Sequence, residues 1–225
     1  MQTKNQPIHE SLLIGTLLTG AAGSFDAFTY LLHGEVFAGL QTGNVILLGV
    51  HLSQAQWYTA IRYVVPILAF MFGTMAARAI QLQADKRQHP LSEQRWIVRY
   101  EIGLILLVSL LGRWLPDLVA SAMVSLIAAA QLQEFRRLRG GPFTSLMMTG
   151  NLRTAAQNLY DGFIRGQQKS RESAAVIGTI ILSFAAGAGI TSILTHYIGT
   201  YALAGAALCL IAIDGIFWQD QIKLH

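Results

Sequence analysis

Two short polar motifs interrupt apolar stretches of this sequence, and both are the tripeptide Thr-Gly-Asn. They are Thr42-Gly43-Asn44 and Thr149-Gly150-Asn151. Asparagine is favoured at the N-cap of a helix, and glycine allows a tight turn or the close approach of a ligand. Each motif therefore predicts a helix that begins inside an apolar segment. The N–H groups and side-chain amides at such starts could replace part of the hydration shell of a solute.

Asp26 is the most informative single residue, because it lies about two-thirds of the way along the first apolar segment. A carboxylate at membrane depth costs a few kcal/mol unless it faces a cavity or a partner, so it is a functional candidate by default. One interpretation is a proton-coupling or substrate-binding group. The other is an aspartate bonded to backbone N–H groups at a helix break made by Gly20 and Gly23.

The composition indicates what must position these residues. The chain has 225 residues, of which 53% are hydrophobic and 12% charged, and its mean hydropathy is +0.45. A soluble domain carries about 25% charged residues. Helices that bond all their backbone groups internally are the expected form of long apolar segments in lipid. We therefore expect one all-α polytopic membrane domain over residues 1–225. Its net charge of +4 fits cytoplasmic loops and does not require nucleic acid.

Six apolar segments are long enough to span a bilayer, and two shorter ones contain the Thr-Gly-Asn motifs. The long segments are residues 11–32, 57–80, 96–114, 117–135, 173–194 and 199–218, separated in the middle by a polar loop at 81–95. The shorter ones are residues 36–50 and the stretch from 143 onwards. A length of about 15 residues is more typical of a re-entrant segment than of a span.

The two motifs are separated by close to half the length of the chain, which suggests an internal repeat. We call the shift from Thr42 to Thr149 the repeat offset. At this offset, eight of the 24 positions from 21 to 44 are identical to their counterparts, and the neighbouring apolar segments coincide. Asp26 is matched by Gln133, so the position stays polar while the charge is lost. The sequence therefore predicts one repeat over about residues 11–114 and a second over about 117–218.

The distribution of positive charge decides how the repeats are oriented. If each motif segment crossed the membrane, there would be eight spans and the Lys and Arg residues would be divided almost evenly between the two sides. If each segment dips in and returns, 14 of the 16 lie inside, and only Arg62 and Arg113 lie near the outside. Cytoplasmic loops retain positive charge. We therefore expect six transmembrane helices and two re-entrant half-helices in two inverted repeats, with both termini cytoplasmic. The half-helices are expected to enter from opposite faces, so that Asn44 and Asn151 meet near the midplane.

Other polar residues in apolar segments have plainer explanations. Glu101 is expected to reach the interface or to pair with Arg99, while Asp214 has no basic neighbour in sequence and remains a weak functional candidate. Gln131 and Gln133 either line a vestibule or lie at the interface of the halves. Small residues four apart allow close helix contact, within the chain by default or in a homo-oligomer. They are Gly15, Thr19 and Gly23, and Ser183, Gly187 and Thr191.

Several of these elements resemble the YoaK-type family of bacterial inner-membrane proteins, a domain of unknown function of about this length. The resemblance rests on Gly23-x-x-Asp26-Ala27, Tyr30-Leu31-x-x-Gly34-x-x-Phe37 and both Thr-Gly-Asn motifs. It covers essentially the whole chain and implies a polytopic protein of the bacterial inner membrane. It carries no established substrate, cofactor or activity.

The sequence favours a transporter or channel for a small polar solute, because inverted repeats with interrupted helices recur in such proteins. The expected binding residues are Asp26, Thr42, Gly43, Asn44, Gln133, Thr149, Gly150 and Asn151. No His-Glu-x-x-His, Cys-x-x-Cys or nucleophile motif is present, so we expect neither an enzyme nor a cofactor or metal site. The alternative is a non-transporting membrane scaffold, in which Asp26 and the two asparagines would make dry contacts.

Overall fold

A computed structural model describes residues 6–84 and 92–223, and in these ranges the chain is almost entirely helical. Two 3-10 turns lie at Ile8–Glu10 and Gly199–Leu203, and a two-residue hairpin pairs β1 (Arg137–Leu138) with β2 (Gly141–Pro142). The helices are α1 (Leu12–Leu32), α2 (Gln41–Ser53), α3 (Trp57–Ala84), α4 (Ser92–Leu111), α5 (Asp117–Glu134), α6 (Met148–Phe163), α7 (Gln168–Ile198) and α8 (Ala204–Lys223).

The predicted apolar segments match helices, but several helices extend beyond them. The polar loop predicted at 81–95 is mostly wrong, since α3 continues to Ala84 and α4 begins at Ser92. Residues 85–91 of that loop lie outside the described residues. Hydropathy ends a segment at its first charges, whereas Gln, Glu and Arg are good helix formers and carry a helix further. The small hairpin was not predicted by an all-α fold class.

The exterior of the bundle is apolar. Three stretches of the described chain are long and apolar enough to cross a membrane: Leu12–Leu32, Trp57–Gln83, and Gln168–Lys223, which contains both α7 and α8. Large apolar side chains on these helices point outward, such as Phe72 (63% exposed) and Leu182 (71%). A water-soluble surface of this kind would aggregate, whereas lipid tails cover it without cost.

The long helices divide into two sets of opposite direction. α1 and α7 run parallel, as do α3 and α5, whereas α5 is antiparallel to α1 and to α4, and α4 is antiparallel to α8. α1 and α7 are linked by Gly15–Ile180 and Gly23–Ala188, and α3 and α5 by Gly73–Ala129 and Gln81–Glu134. α5 meets α1 at Leu18–Gln131 and His33–Asp117, and it meets α4 at Gln94–Glu134. α4 meets α8 at Arg95–Gln221 and the turn before α8 at Ser109–Thr200. Helices α1, α4 and α7 therefore point one way, and α3, α5 and α8 point the other way.

The bundle has two ends, which we call the His33 pole and the Glu134 pole after residues at each. All four tryptophans of the chain lie near these poles and are at least 58% exposed. Trp57 and Trp114 belong to the His33 pole, and Trp96 and Trp218 to the Glu134 pole. From residue 96 to 114 an α-helical path would rise about 27 Å, close to the thickness of the hydrocarbon core.

The two shortest helices start inside the bundle. α2 packs against α3 and α6 packs against α7. Asp26 of α1 lies seven residues, or about 10 Å of helix, before the His33 pole, and it contacts the segment that leads into α2. After leaving α1, the chain therefore returns about two turns into the bundle before α2 begins.

α1 and α7 approach each other until their backbones touch. A Cβ atom on Gly187 would overlap the carbonyl oxygen of Gly20, and one on Gly23 would overlap that of Phe184. The hydroxyl of Ser24 donates a hydrogen bond to the carbonyl of Gly187 (3.2 Å). The small residues predicted to allow close helix contact do so within this chain, as expected by default.

We predict that Gly187→Ala destabilises the protein by about 1–3 kcal/mol, because a methyl group must push apart two helices that have no side chain to move. The matched control is Gly189→Ala, two residues further along α7, where a Cβ atom meets nothing within 4 Å. Thermal unfolding in detergent measures both variants. Equal midpoints for the two would contradict the backbone contact.

Candidate functional site

Asp26 holds the segment that precedes α2. Its side chain is 6% exposed, and its Oδ1 accepts hydrogen bonds from the backbone N–H of Gly39 (2.6 Å) and of Leu40 (3.3 Å). These are N–H groups at the start of a helix, where a negative charge is favourable. α1 itself continues unbroken through Gly20 and Gly23, so the predicted helix break at these glycines is wrong. The partners belong instead to the returning segment.

Asn44 closes the same segment from the other side. It is fully buried, its Oδ1 accepts from the N–H of Phe37 (2.9 Å), and its Nδ2 donates to the carbonyl of Phe37 (2.6 Å) and to Oε1 of Gln41 (2.9 Å). The residue at the N-cap position is Leu40, so Asn44 lies one turn inside α2. The predicted N-cap role is therefore wrong. The amide instead clamps the backbone seven residues before it.

Asn151 makes the corresponding contacts in the second half. Its Nδ2 donates to the carbonyl of Thr144 (3.1 Å), again seven residues earlier, and lies 3.7 Å from the sulfur of Met148. The N-cap position of α6 is Met147, with φ −96° and ψ 77°, against −79° and 70° at Leu40. Met147 is the counterpart of Leu40 at the repeat offset. The two segments therefore have closely similar local structures.

The two returning segments touch at matching positions. We call residues 37–40 the first tip and residues 144–147 the second tip. A Cβ atom on Gly39 would overlap the side chain of Leu146 and would lie 3.5 Å from Oδ1 of Asp26. Gly39 and Leu146 are themselves counterparts at the repeat offset. The asparagines were expected to meet each other, but the contact between the halves is made by these two residues, and each asparagine binds its own tip.

The second tip is held by a glutamine in place of an aspartate. Gln131 is fully buried, and its Nε2 donates to the hydroxyl of Ser145 (2.7 Å) and to the carbonyl of Leu18 (3.0 Å). Gln133, the repeat counterpart of Asp26, instead donates to Oε1 of Gln81 (3.0 Å) beside Glu134 at the Glu134 pole. Gln133 is therefore not brought together with Asp26.

The remaining predicted site residues do not converge on the tips. Thr42, Thr149 and Gly150 are exposed, and a Cβ atom on Gly150 would meet nothing within 4 Å. Gly43 is half-buried, and a Cβ there would press on the ring of Phe37. Within each motif the asparagine makes the tip contact. In the first motif the glycine also allows the tip to approach its helix.

A polar group at the His33 pole was not found from the sequence. His33 is 3% exposed, and its Nδ1 lies 3.1 Å from Oδ1 of Asp117, which joins the end of α1 to the start of α5. Burial lowers the pKa of His33 below its usual value, although Asp117 acts in the opposite direction. A neutral ring that donates from Nδ1 fits both facts. No sequence spacing connects positions 33 and 117, so only the fold reveals the pair.

Two cavities open beside this pair. One of about 170 Å³ is lined by His33, Tyr58, Arg62, Asp117 and Ser121 among others, and one of about 410 Å³ includes Arg113 and Tyr201. His33 and Asp117 line both cavities, and each cavity is also lined by one arginine. Among the residues that the structure describes, no group of three or more His, Cys, Asp or Glu side chains could hold a metal ion.

These observations define a helical multi-pass membrane protein with two short helices that start inside its bundle. The chain belongs to the family described as protein of unknown function (DUF1275), whose model matches residues 14–215. It is also similar to the UPF0700 transmembrane protein YoaK of Bacillus subtilis (strain 168). The two are 21% identical over 156 residues, which is 68% of this chain and 69% of the relative. No solved structure matches.

We predict that Gly39→Ala costs about 1–3 kcal/mol of stability through overpacking against Leu146. Leu146→Ala alone leaves a cavity and costs about 2–5 kcal/mol. In the double variant the new methyl group enters the space of the lost side chain, so the combined loss is smaller than the sum. Thermal unfolding in detergent measures the cycle. Gly49→Ala in α2, where a Cβ meets nothing within 4 Å, is the control. Additive losses would mean that the tips do not touch.

Proposed function

We propose that this protein is a small-solute transporter or channel of the bacterial inner membrane, and that its solute route passes the junction of the two tips. One observation carries the proposal: two short helices start tip to tip inside the bundle, beside the buried carboxylate of Asp26. Non-helical backbone at membrane depth is tolerated where protein buries it or where it lines a wet cavity. Helix starts of this kind are a device of solute sites in secondary transporters.

Inverted repeats are the architecture that the helix directions favour. In the first half, α1 and α4 point one way and α3 points the other way. In the second half, α5 and α8 point in the direction of α3, and α7 points in the direction of α1. The packing also survives exchange of the halves, since α1 packs on α7 as α5 packs on α3, and α2 on α3 as α6 on α7. Eight alternating spans would make α4 and α8 parallel, contrary to their contacts.

On this proposal α2 and α6 are re-entrant and six helices span the membrane, which the helix directions support. Exposed tryptophans at both poles match the aromatic belts of a bilayer. The Glu134 pole is cytoplasmic on this proposal, because the basic hairpin follows α5 there, while Arg62 and Arg113 lie at the His33 pole. Both termini are then cytoplasmic.

The described conformation is closed at the tips. The amide of Asn44 is used by its own tip, Asp26 is bonded to Gly39 and Leu40, and Leu146 fills the space between the tips. A solute that enters from the cavities at the His33 pole reaches Asp26 only after the tips separate. The freed N–H groups and carboxylate then offer both donors and acceptors, which suits a small polar solute.

A membrane scaffold is the second candidate, and the complete burial of Asn44 favours it. In a scaffold, Asp26, Asn44 and Asn151 would only hold the tips together, and water would never reach them. The two functions differ in the accessibility of the tips to aqueous reagents, which can be measured without knowing the solute.

The first test of the proposal concerns topology. In a Cys209→Ser background, we expect Gln167→Cys to be protected from an impermeant thiol reagent in intact cells and labelled after lysis. Gln167 is exposed at the start of α7, at the pole proposed to be cytoplasmic. The matched control is Arg113→Cys, which should be labelled in intact cells. Labelling of position 167 from outside would mean that α6 spans the membrane and would refute inverted repeats.

The second test concerns the tips. Ala38 and Ser145 are fully buried, lie one in each tip and are counterparts at the repeat offset. We expect Ala38→Cys and Ser145→Cys to react slowly with a small impermeant thiol reagent in membrane vesicles, because a working transporter exposes its tips transiently. Ala207→Cys, equally buried on α8, should stay unreacted. If all three positions stay unreacted, the transport proposal fails and the scaffold is favoured.

A further inference from the structure

Glu101 is a buried carboxyl group that belongs neither to the tips nor to the cavities at the His33 pole. It lies near the middle of α4 and is 0% exposed, and both of its oxygens lack a hydrogen-bond partner among the described residues. It occupies the packed face of the helix between Ile97 (1% exposed) and Ile105 (0%). The prediction that Glu101 reaches the membrane interface or pairs with Arg99 is therefore wrong.

The nearby arginines are bound to a different carboxylate. Nε of Arg95 lies 3.0 Å from Oδ1 of Asp214, and Nε of Arg99 lies 3.2 Å from the same oxygen. Asp214, which has no basic neighbour in sequence, thus obtains two cations through the fold. Glu101, further along α4, has no cation partner among the described residues. An ionised carboxylate in such surroundings is strongly unfavourable, so this group must be neutral and carry its proton.

A neutral acid without an acceptor is still costly, by about 1–3 kcal/mol for an unsatisfied buried polar group. A leucine would pack on this face without that cost, so the packing alone gives no reason for an acid. A metal site does not explain it either, because no cluster of three or more His, Cys, Asp or Glu ligands occurs among the described residues. The remaining chemistry of an isolated carboxyl group is to take up and release a proton.

Titratable groups connect Glu101 with the Glu134 pole. Glu134 of α5 accepts hydrogen bonds from Nε2 of Gln94 (2.6 Å) and of Gln81 (2.8 Å), and it acts electrostatically on both Glu101 and His9. Gln94 lies two turns, or about 10 Å, before Glu101 on α4. His9 is half-buried with an unpartnered Nδ1, and burial lowers its pKa, while Glu10 and Glu134 oppose this.

Other titratable groups lie on the helices that pack around Glu101. Asp214 of α8 is held by two arginines, Tyr100 neighbours Glu101 on α4, Cys209 of α8 is partly buried, and Arg78 of α3 lies 3.4 Å from Oε1 of Gln81. Glu134 acts electrostatically on Glu101, and it also acts on His9.

We propose that Glu101 is a proton-binding site in the membrane interior, loaded from the Glu134 pole. A proton from the aqueous side of that pole binds to a carboxylate oxygen of Glu101, which becomes the neutral acid. Release follows the reverse route when Glu101 becomes hydrated. The use of this proton to drive a solute rests on the proposed function, but the binding site itself does not.

The test is labelling of the full-length protein in liposomes with dicyclohexylcarbodiimide, an apolar reagent for protonated carboxyl groups. The acid adds across a C=N bond and the adduct rearranges to an N-acylurea, so the whole reagent mass is retained and nothing leaves. Peptide mass spectrometry then locates the adduct. The protonated fraction of an acid falls tenfold per pH unit above its pKa. We expect Glu101 at pH 7 to be labelled at least about tenfold more than Asp214.

Two variants sharpen the test. Glu101→Gln should lose the adduct at this position and keep the wild-type unfolding temperature, since a neutral amide replaces a neutral acid. Glu134→Gln should move the pH at which Glu101 labelling is half lost to a lower value, because it removes a neighbouring negative charge that disfavours ionisation of Glu101. A purely structural role for Glu134 would leave that pH unchanged and would overturn the loading route.

Other outcomes also overturn the proposal. If Glu101 is unlabelled at pH 7, or is labelled equally by a water-soluble carbodiimide, it is not a buried neutral acid. If Na⁺ in place of choline suppresses the labelling, the site binds a cation and not a proton. Unreactive cysteines at positions 38 and 145 would refute transport but leave the labelling of Glu101 unaffected, so failure of one proposal is distinguishable from failure of the other.

Discussion

The central constraint in this protein is that a helix which begins inside an apolar bundle must find partners for its first N–H groups. No bulk water is available there, and each unpaired group costs several kcal/mol. Asp26 of α1 supplies the partner for the first tip from outside, and Asn44 clamps the same tip from within α2. The position of α2 and the close contact of Gly39 with Leu146 depend on this arrangement.

The two tips solve the same problem with different chemistry. The first uses a carboxylate, and the second uses the neutral amide of Gln131 on the hydroxyl of Ser145. Asn151 bonds the carbonyl of Thr144 and approaches the sulfur of Met148, whereas Asn44 bonds both the N–H and the carbonyl of Phe37. Because the first tip is held by a carboxylate and the second by a neutral amide, the site is electrostatically asymmetric, although the backbones of the two tips are nearly symmetric.

Much of the fold could be predicted from the sequence, because it depends on local and periodic information. Apolar segment lengths give the helices, and the motif spacing gives the correspondence between α2 and α6. The contact of Gly23 with the Gly187 helix follows from small residues four apart. Helix ends are predicted less well, since charged residues extend α4 four residues before its predicted start at 96.

Side-chain partners were predicted poorly, because they depend on tertiary distances that spacing does not encode. Asp214 gains Arg95 and Arg99 across α4 and α8, while Glu101 has no partner in the part of the chain that the structure describes. His33 meets Asp117 across 84 positions. The asparagines were singled out for a predicted N-cap role, whereas in the structure each one bonds the backbone seven residues before it.

The glycine contacts have a consequence for the mechanics of the molecule. α1 and α7 touch through backbone at Gly23 and Gly187, and α3 approaches α5 closely at Gly73, where a Cβ would lie 2.8 Å from that of Ala129. Helices joined without intervening side chains move as one body. We therefore expect α1 with α7 and α3 with α5 to move as units, each assembled from both halves of the chain. Any motion that opens the tips slides one interleaved pair past the other, so neither half of the sequence moves as an independent lobe.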